Sequence, residues 1–229
     1  MRVLKFFTGI LLIPFCIAVT QTVISLIRAI QPVSVSMLPP SALALGGGFL
    51  LWLLLYFTTP RPVRTYVLAH ELTHALWALM MDAKIIRFTI SKQSGSVTLS
   101  KTNFLITLAP YFFPLYTVLV IAVYYALSVF FEVERYHLCW LALVGLSWGF
   151  HFTFTISTLF QCQTDIRECG RFFSYSFIYL MNLLGISLWI VTVSSATLEQ
   201  IVFFAGRHIE AVFIGIWHGL VLILHKIIQ

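Results

Sequence analysis

The residues best suited to chemistry form the run His70-Glu71-Leu72-Thr73-His74. On a helix, positions i and i+4 lie on one face, so His70 and His74 can bind the same zinc ion. Glu71 then lies beside that ion, where a carboxylate can accept a proton from the water that attacks a peptide bond. The alternative is a hydrogen-bonded polar cluster between helices. The spacing favours a zinc site.

The composition indicates an integral membrane protein. Of 229 residues, 60% are hydrophobic and only 10% are charged, whereas a soluble domain has about 25% charged residues. We therefore expect an all-α polytopic membrane protein, with about six or seven transmembrane helices and a small β-hairpin. The whole chain is predicted to be a single integral membrane domain with its catalytic core over 62–182. The net charge of +6 is spread over short loops, which argues against nucleic acid as a partner.

Apolar runs between polar breaks predict the individual helices. The helix that carries His70 is expected to begin after Thr59-Pro60-Arg61-Pro62, because proline suits the first turn of a helix. The last run is expected to be kinked or partly interfacial. The predicted transmembrane runs are 6–27, 42–58, 63–81, 104–131, 137–160, 172–193 and 198–223.

Two further segments have a pattern that bears on the site. Apolar and polar residues alternate over 86–91 and again over 97–100, with a turn at Gln93-Ser94-Gly95, which predicts a β-hairpin directly after the motif helix. Two roles are open for this hairpin. Either its open edge binds an extended substrate as an added strand, or the hairpin is a simple structural flap. Pro110 and Pro114 interrupt the next run, and such broken helices are tolerated where they line a cavity.

A catalytic zinc ion usually has three protein ligands, so a third donor is needed. Counting membrane crossings places Asp165 on the same side as the hairpin, near the end of the motif helix. His151 lies inside the fifth run, at about the depth of His70 and His74 when each residue rises 1.5 Å. The residues alone leave both candidates open.

The order of these features resembles the site-two protease family of intramembrane zinc metalloproteases, and its small bacterial-type members most closely. The resemblance covers about 62–182: an H-E-x-x-H helix, a hairpin containing glycine, a proline-broken run and a later Asp followed by Gly170-Arg171. It implies that Asp165 is the third ligand, which the family presents in an Asn-Pro…Asp-Gly motif. No Asn-Pro pair precedes Asp165 here. The amides of Gln161 and Gln163 are expected to take over the backbone-binding part of that Asn.

These features predict a zinc-dependent membrane metalloendopeptidase that cleaves transmembrane or membrane-associated protein substrates. Zn²⁺ is the expected cofactor, held by His70, His74 and Asp165, with Glu71 as the catalytic base and His151 as an alternative ligand or oxyanion donor. The expected location is a bacterial-type inner membrane, and a slight excess of Lys and Arg favours a cytoplasmic hairpin. The competing hypotheses are a prenyl-protein-type membrane endopeptidase and a scaffold or transporter-like protein with a structural or vestigial zinc site.

Overall fold

The structure is a computed structural model that describes residues 2–29, 38–91, 94–161 and 163–228. These residues are mostly helical, with one β-hairpin and short connecting turns, as the composition and periodicity predict. The helices are α1 Arg2–Ala29, α2 Pro40–Thr58, α3 Val63–Met80, α4 Phe104–Leu108, α5 Leu115–Ser128, α6 His137–Leu159, α7 Thr164–Cys169, α8 Arg171–Val193 and α9 Leu198–Ile228. The strands are β1 Ile85–Ile90 and β2 Gly95–Leu99, and short 3₁₀ turns cover Ala109–Tyr111 and Glu134–Tyr136.

The described residues group into two compact units. One contains α1, α8 and α9. The other, Leu38–Cys169, contains α2 to α7 and the hairpin. Every candidate site residue lies in this second unit. The prediction that the chain is one integral membrane domain stays a prediction.

Five of the described helices are long and apolar enough to cross a membrane, namely α1, α2, α6, α8 and α9. A sixth is possible if α4 and α5, which meet at 81°, together form one span. The predicted break at Pro110 and Pro114 is thus confirmed. Helix α3, which we counted as a span, is not among them, because Arg64, Glu71 and two histidines interrupt its apolar sequence. The last segment forms the single helix α9, and its kinked or partly interfacial character stays a prediction.

A tight turn passes the chain from α3 directly into the hairpin. Asp82 adopts a positive φ of 55°, and the N–H of Ala83 donates to the carbonyl of Ala78 at 2.8 Å. This six-residue closure is a Schellman-type helix end, and it satisfies a carbonyl that the helix leaves unpaired. Ala78 and Ala83 are both buried. The hairpin therefore begins a fixed, short distance beyond the motif.

The predicted hairpin is confirmed, and its register is defined. The strands β1 and β2 are antiparallel, with Phe88 opposite Val97 and Ile90 opposite Gly95. Of the predicted turn, Gln93 lies outside the described residues. The hairpin carries β2 back along α3, so a backbone strand lies beside the motif helix.

Helices α2 and α6 form the closest helix pair of this unit, and glycines make their approach possible. A Cβ atom on Gly48 would overlap the carbonyl oxygen of Ala142, and one on Gly145 would overlap that of Leu45. Small residues permit this kind of backbone contact in membrane helices. Next to it, Trp52 packs on Phe150 at a centroid separation of 5.0 Å. Helices α2 and α6 are therefore tightly packed against each other beside α3.

We expect Gly145→Ala to destabilise the protein, because the added methyl group meets backbone atoms that cannot rotate away. Overpacking of this kind costs about 1–3 kcal/mol. Thermal and denaturant unfolding in detergent would measure the loss. Gly47→Ala is the matched control, since nothing lies within 4 Å of a Cβ there. Equal stability of the two variants would contradict the tight α2–α6 contact.

Candidate metal centre

Helix α3 brings the two histidines of the motif together. Their Nε2 atoms lie 3.2 Å apart, as expected for side chains one helical turn apart that point to the same place. Both residues are largely buried, and His74 is 8% exposed. Two ring nitrogens thus converge on one point inside the protein.

Asp165 completes a group of three donors. Its Oδ2 atom lies 3.4 Å from Nε2 of His70 and 3.5 Å from Nε2 of His74. Together the three residues form a group that could hold a metal ion. Asp165 lies on the short helix α7, ahead of α8.

The three distances test whether a metal fits. A tetrahedron whose corners lie about 2.0–2.2 Å from its centre has edges of about 3.3–3.6 Å. The observed separations of 3.2, 3.4 and 3.5 Å are close to those edges. The donors therefore fit a tetrahedral ion with three protein ligands.

Backbone geometry orients His74. Its Nδ1–H donates a hydrogen bond to the carbonyl of Ile106 at 2.8 Å. Nε2 is therefore the ring nitrogen that remains to bind a metal. That carbonyl is available because its usual helical partner, four residues later, is Pro110, which has no N–H. Asn103 holds the segment in place, since its side chain caps α4 by accepting from the N–H of Ile106 at 2.9 Å. The break at Pro110 thus leaves free the carbonyl that orients His74.

His70 is oriented by Tyr66, one turn earlier on α3. The Tyr66 hydroxyl lies 3.3 Å from Nδ1 of His70. For Nε2 to bind a metal, Nδ1 carries the proton and donates to that hydroxyl. Tyr66 is itself held by stacking on Phe154, with ring centroids 4.8 Å apart. Each histidine therefore has a partner for its second nitrogen, as metal-ligating histidines usually do.

The charge of Asp165 is stabilised by its neighbours. Burial by itself would raise the pKa of this carboxyl, but the hydrogen bonds of His70 and His74 outweigh it and hold the pKa well below its usual range. The hydroxyl of Tyr111 also donates to Oδ2, at 3.0 Å. The carboxyl group of Asp165 is therefore anionic at neutral pH.

Glu71 lies next to the three donors without belonging to them. It is 8% exposed, and β2 covers it. A Cβ atom on Gly95 would be 2.5 Å from Cγ of Glu71 and 2.9 Å from its Oε1. The backbone N–H of Val97 also interacts with the carboxylate. Glycine at position 95 is therefore what allows the hairpin backbone to rest on the glutamate.

Two clefts open on either side of Glu71. Their volumes are about 370 and 440 Å³, and His70, Glu71, Gly95 and Gln163 line both. Hydroxyl and amide side chains make up much of the remaining lining, including Ser94, Ser157, Thr158 and Gln161 in the first cleft and Ser96, Thr98, Thr102, Thr107 and Thr164 in the second. Both clefts thus give an extended peptide access to Glu71.

The structure places His151 elsewhere. It lines a small cavity of about 10 Å³ together with His70, and it lines neither cleft that contains Glu71. Its Nε2 atom is buried and, among the described residues, has no hydrogen-bond partner. Of the two candidates for the third ligand, only Asp165 lies within 4.8 Å of the other donors in the described part of the chain.

Several residues of the site were not identified from the sequence. Tyr66 had a detectable signal, because it lies four residues before His70 and so on the same helix face. The carbonyl of Ile106 had one too, since Pro110 must leave that carbonyl free. Tyr111 and Gly95 had no local signal, because their contacts join segments far apart in the chain.

We expect Asp165→Ala to lose the bound metal and His151→Ala to keep it. The wild type should hold about one equivalent of zinc, supplied as the probe ion, because its three donors are close enough to share one ion. Elemental analysis after gel filtration measures the stoichiometry, with circular dichroism as the check on folding. Full zinc in Asp165→Ala would exclude this carboxylate as a ligand.

The chain matches no family model, no curated protein and no solved structure. What the site can do is therefore inferred from its donor atoms, their spacing and the clefts around them.

Proposed function

We propose that the protein is an intramembrane zinc metalloprotease that hydrolyses peptide bonds of membrane-embedded substrates. One observation carries the proposal: His70, His74 and Asp165 lie at tetrahedral spacing, and Glu71 lies beside them without being part of the donor set. Metal binding alone does not need that fourth side chain. A carboxylate beside the donors is the arrangement that general-base hydrolysis requires.

Zinc is the metal we propose for the site. Two imidazole nitrogens and one carboxylate oxygen suit zinc better than magnesium or calcium, which prefer oxygen ligands only. Three protein donors leave the fourth tetrahedral position open, as in catalytic rather than structural zinc sites. When bound, zinc supplies Lewis acidity that polarises a carbonyl and acidifies water.

Glu71 performs the proton transfers in this proposal. It accepts a proton from the attacking water and returns it to the nitrogen of the departing amine. The contacts with Gly95 and Val97 hold its carboxylate in one place, so that the base is already oriented when a substrate arrives. Gln163, whose side chain lines both clefts, is suited to hydrogen-bond the substrate backbone.

The two clefts favour an endopeptidase. A chain that enters by one cleft and leaves by the other passes Glu71 in an extended form, with residues on both sides of the scissile bond. The strand β2 lines the second cleft along its length, and we propose that it pairs with the substrate as an added strand. Residues 109–114 line neither cleft. In this proposal they support the metal ligands instead.

A membrane location accords with the five or six helices of sufficient length and apolarity. We propose a multi-pass protein of a bacterial-type inner membrane, and membership of the site-two protease family. The family proposal is supported by the order of the elements: motif helix, hairpin, proline-broken run and a later Asp that lies among the donors. Transmembrane or membrane-associated proteins are the proposed substrates.

We expect Glu71→Gln to keep zinc and to slow cleavage by about 10²- to 10⁴-fold, the usual contribution of a general base. The amide has the same shape but cannot accept the proton. A quenched-fluorescence peptide with a single apolar span, in detergent micelles, would report the rate, and elemental analysis would report the metal.

His70→Ala is the companion variant and should lose both zinc and cleavage. Wild-type cleavage by Glu71→Gln would refute the enzymatic proposal. A protein that loses function only when a histidine is removed would point to a structural site.

We expect Gly95→Ala to lower the cleavage rate by about 10- to 100-fold, since the new methyl group would push Glu71 from its place. Zinc content should not change, because no donor atom is touched. Gly47→Ala, which adds the same methyl group in open space, is the control. An unchanged rate in Gly95→Ala would mean that the hairpin does not position the base.

A further inference from the structure

Asp165 needs a partner to hold it among the histidines. It lies on α7, a helix of only six residues, Thr164–Cys169. Burial of Ile166 and Cys169 holds one side of α7 against the protein, but it does not set the direction of the Asp165 carboxylate. A contact to the carboxylate itself is needed for that.

The hydroxyl of Tyr111 makes that contact. It donates to Oδ2 of Asp165 at 3.0 Å, and Oδ2 is the same oxygen that faces the two histidines. A carboxylate oxygen has two lone-pair directions. One direction takes the Tyr111 proton, and the other remains for a cation.

Tyr111 is itself held firmly. It is fully buried, at 0% exposure, and it heads the group of largest fully buried side chains. It ends the short 3₁₀ turn Ala109–Tyr111 that follows Pro110. Its ring meets that of His70 edge-on, with centroids 5.3 Å apart. The phenol therefore cannot swing away, and it contacts two of the three donor residues.

We propose that Tyr111 is the positioning residue of the metal site, and that its hydroxyl fixes the carboxylate of the third ligand, Asp165. This inference rests on the proposed zinc site. Partners that orient metal ligands typically contribute about 10- to 100-fold to metal affinity. The proline-broken segment thus serves two ligands, His74 through the carbonyl of Ile106 and Asp165 through Tyr111.

Zinc affinity tests the inference without any need for activity. The full-length protein in detergent competes with a chromogenic chelator for zinc. Tyr111→Phe keeps the buried ring and removes only the hydroxyl, and we expect it to bind zinc about 10- to 100-fold more weakly than the wild type. Tyr116→Phe is the matched control. It removes a hydroxyl that donates to the carbonyl of Thr65, away from the three donor residues, and should bind zinc like the wild type.

A double-mutant cycle separates positioning from general damage to the fold. In the metal-free protein, Tyr111→Phe should lower the unfolding temperature when Asp165 is present and leave it unchanged in an Asp165→Ala background, because the hydroxyl acts through that carboxylate.

The possible results distinguish the two proposals. Wild-type affinity in Tyr111→Phe would overturn the role of Tyr111 and leave the zinc protease intact. An equal fall of the unfolding temperature in the Asp165→Ala background would also overturn it, since the hydroxyl would then act on the fold. A wild-type protein that binds no zinc would overturn the proposed function itself.

Discussion

The close approach of His70, His74 and Asp165 is the contact on which the rest of this site depends. The Nε2 atoms of His70 and His74 lie 3.2 Å apart, and Oδ2 of Asp165, which their hydrogen bonds stabilise, lies 3.4 and 3.5 Å from them. Burial strengthens such interactions, because little water is present to screen them. A cation bound among the three atoms would take the place of the hydrogen-bonding protons. The three residues therefore form a group that could hold a metal ion.

The neighbouring structure holds the donors in that arrangement by means of backbone atoms as much as side chains. The missing N–H of Pro110 frees the carbonyl that orients His74, and the Schellman-type end of α3 turns the chain so that β2 returns beside Glu71. Backbone atoms move less than surface side chains, so they are suitable supports for a site that must not relax. Behind α3, glycine contacts allow α2 and α6 to pack closely.

The hairpin has two consequences for the proposed chemistry. It covers Glu71, so the base lies in a partly dry environment, and it lines the cleft through which a substrate would pass. Both depend on the absence of a side chain at Gly95. The clefts are lined largely by hydroxyl and amide groups, which can replace the hydrogen bonds that a helical substrate loses when it unwinds. A purely apolar groove would offer no such replacement.

Much of the fold could be predicted because it depends on local pattern. Apolar runs predicted the helices, alternation over 86–91 and 97–100 predicted the hairpin, and Pro110 and Pro114 predicted the break. These signals need no knowledge of distant residues. The number of membrane spans was harder to predict from the sequence. Helix α3 has a helical period but several ionisable side chains, and it is not among the helices that are apolar enough to span a membrane.

The candidate site also has one part that local sequence pattern predicts and another part that depends on tertiary structure. The sequence by itself determined that His70 and His74 share a face and that Glu71 is next to them, because helical periodicity alone requires it. Only the tertiary structure could bring Asp165 rather than His151 to the two nitrogens, set Tyr111 against that carboxylate and lay Gly95 on Glu71. These contacts join segments that are tens of residues apart. No local period encodes them, since they depend on how the helices and the hairpin pack.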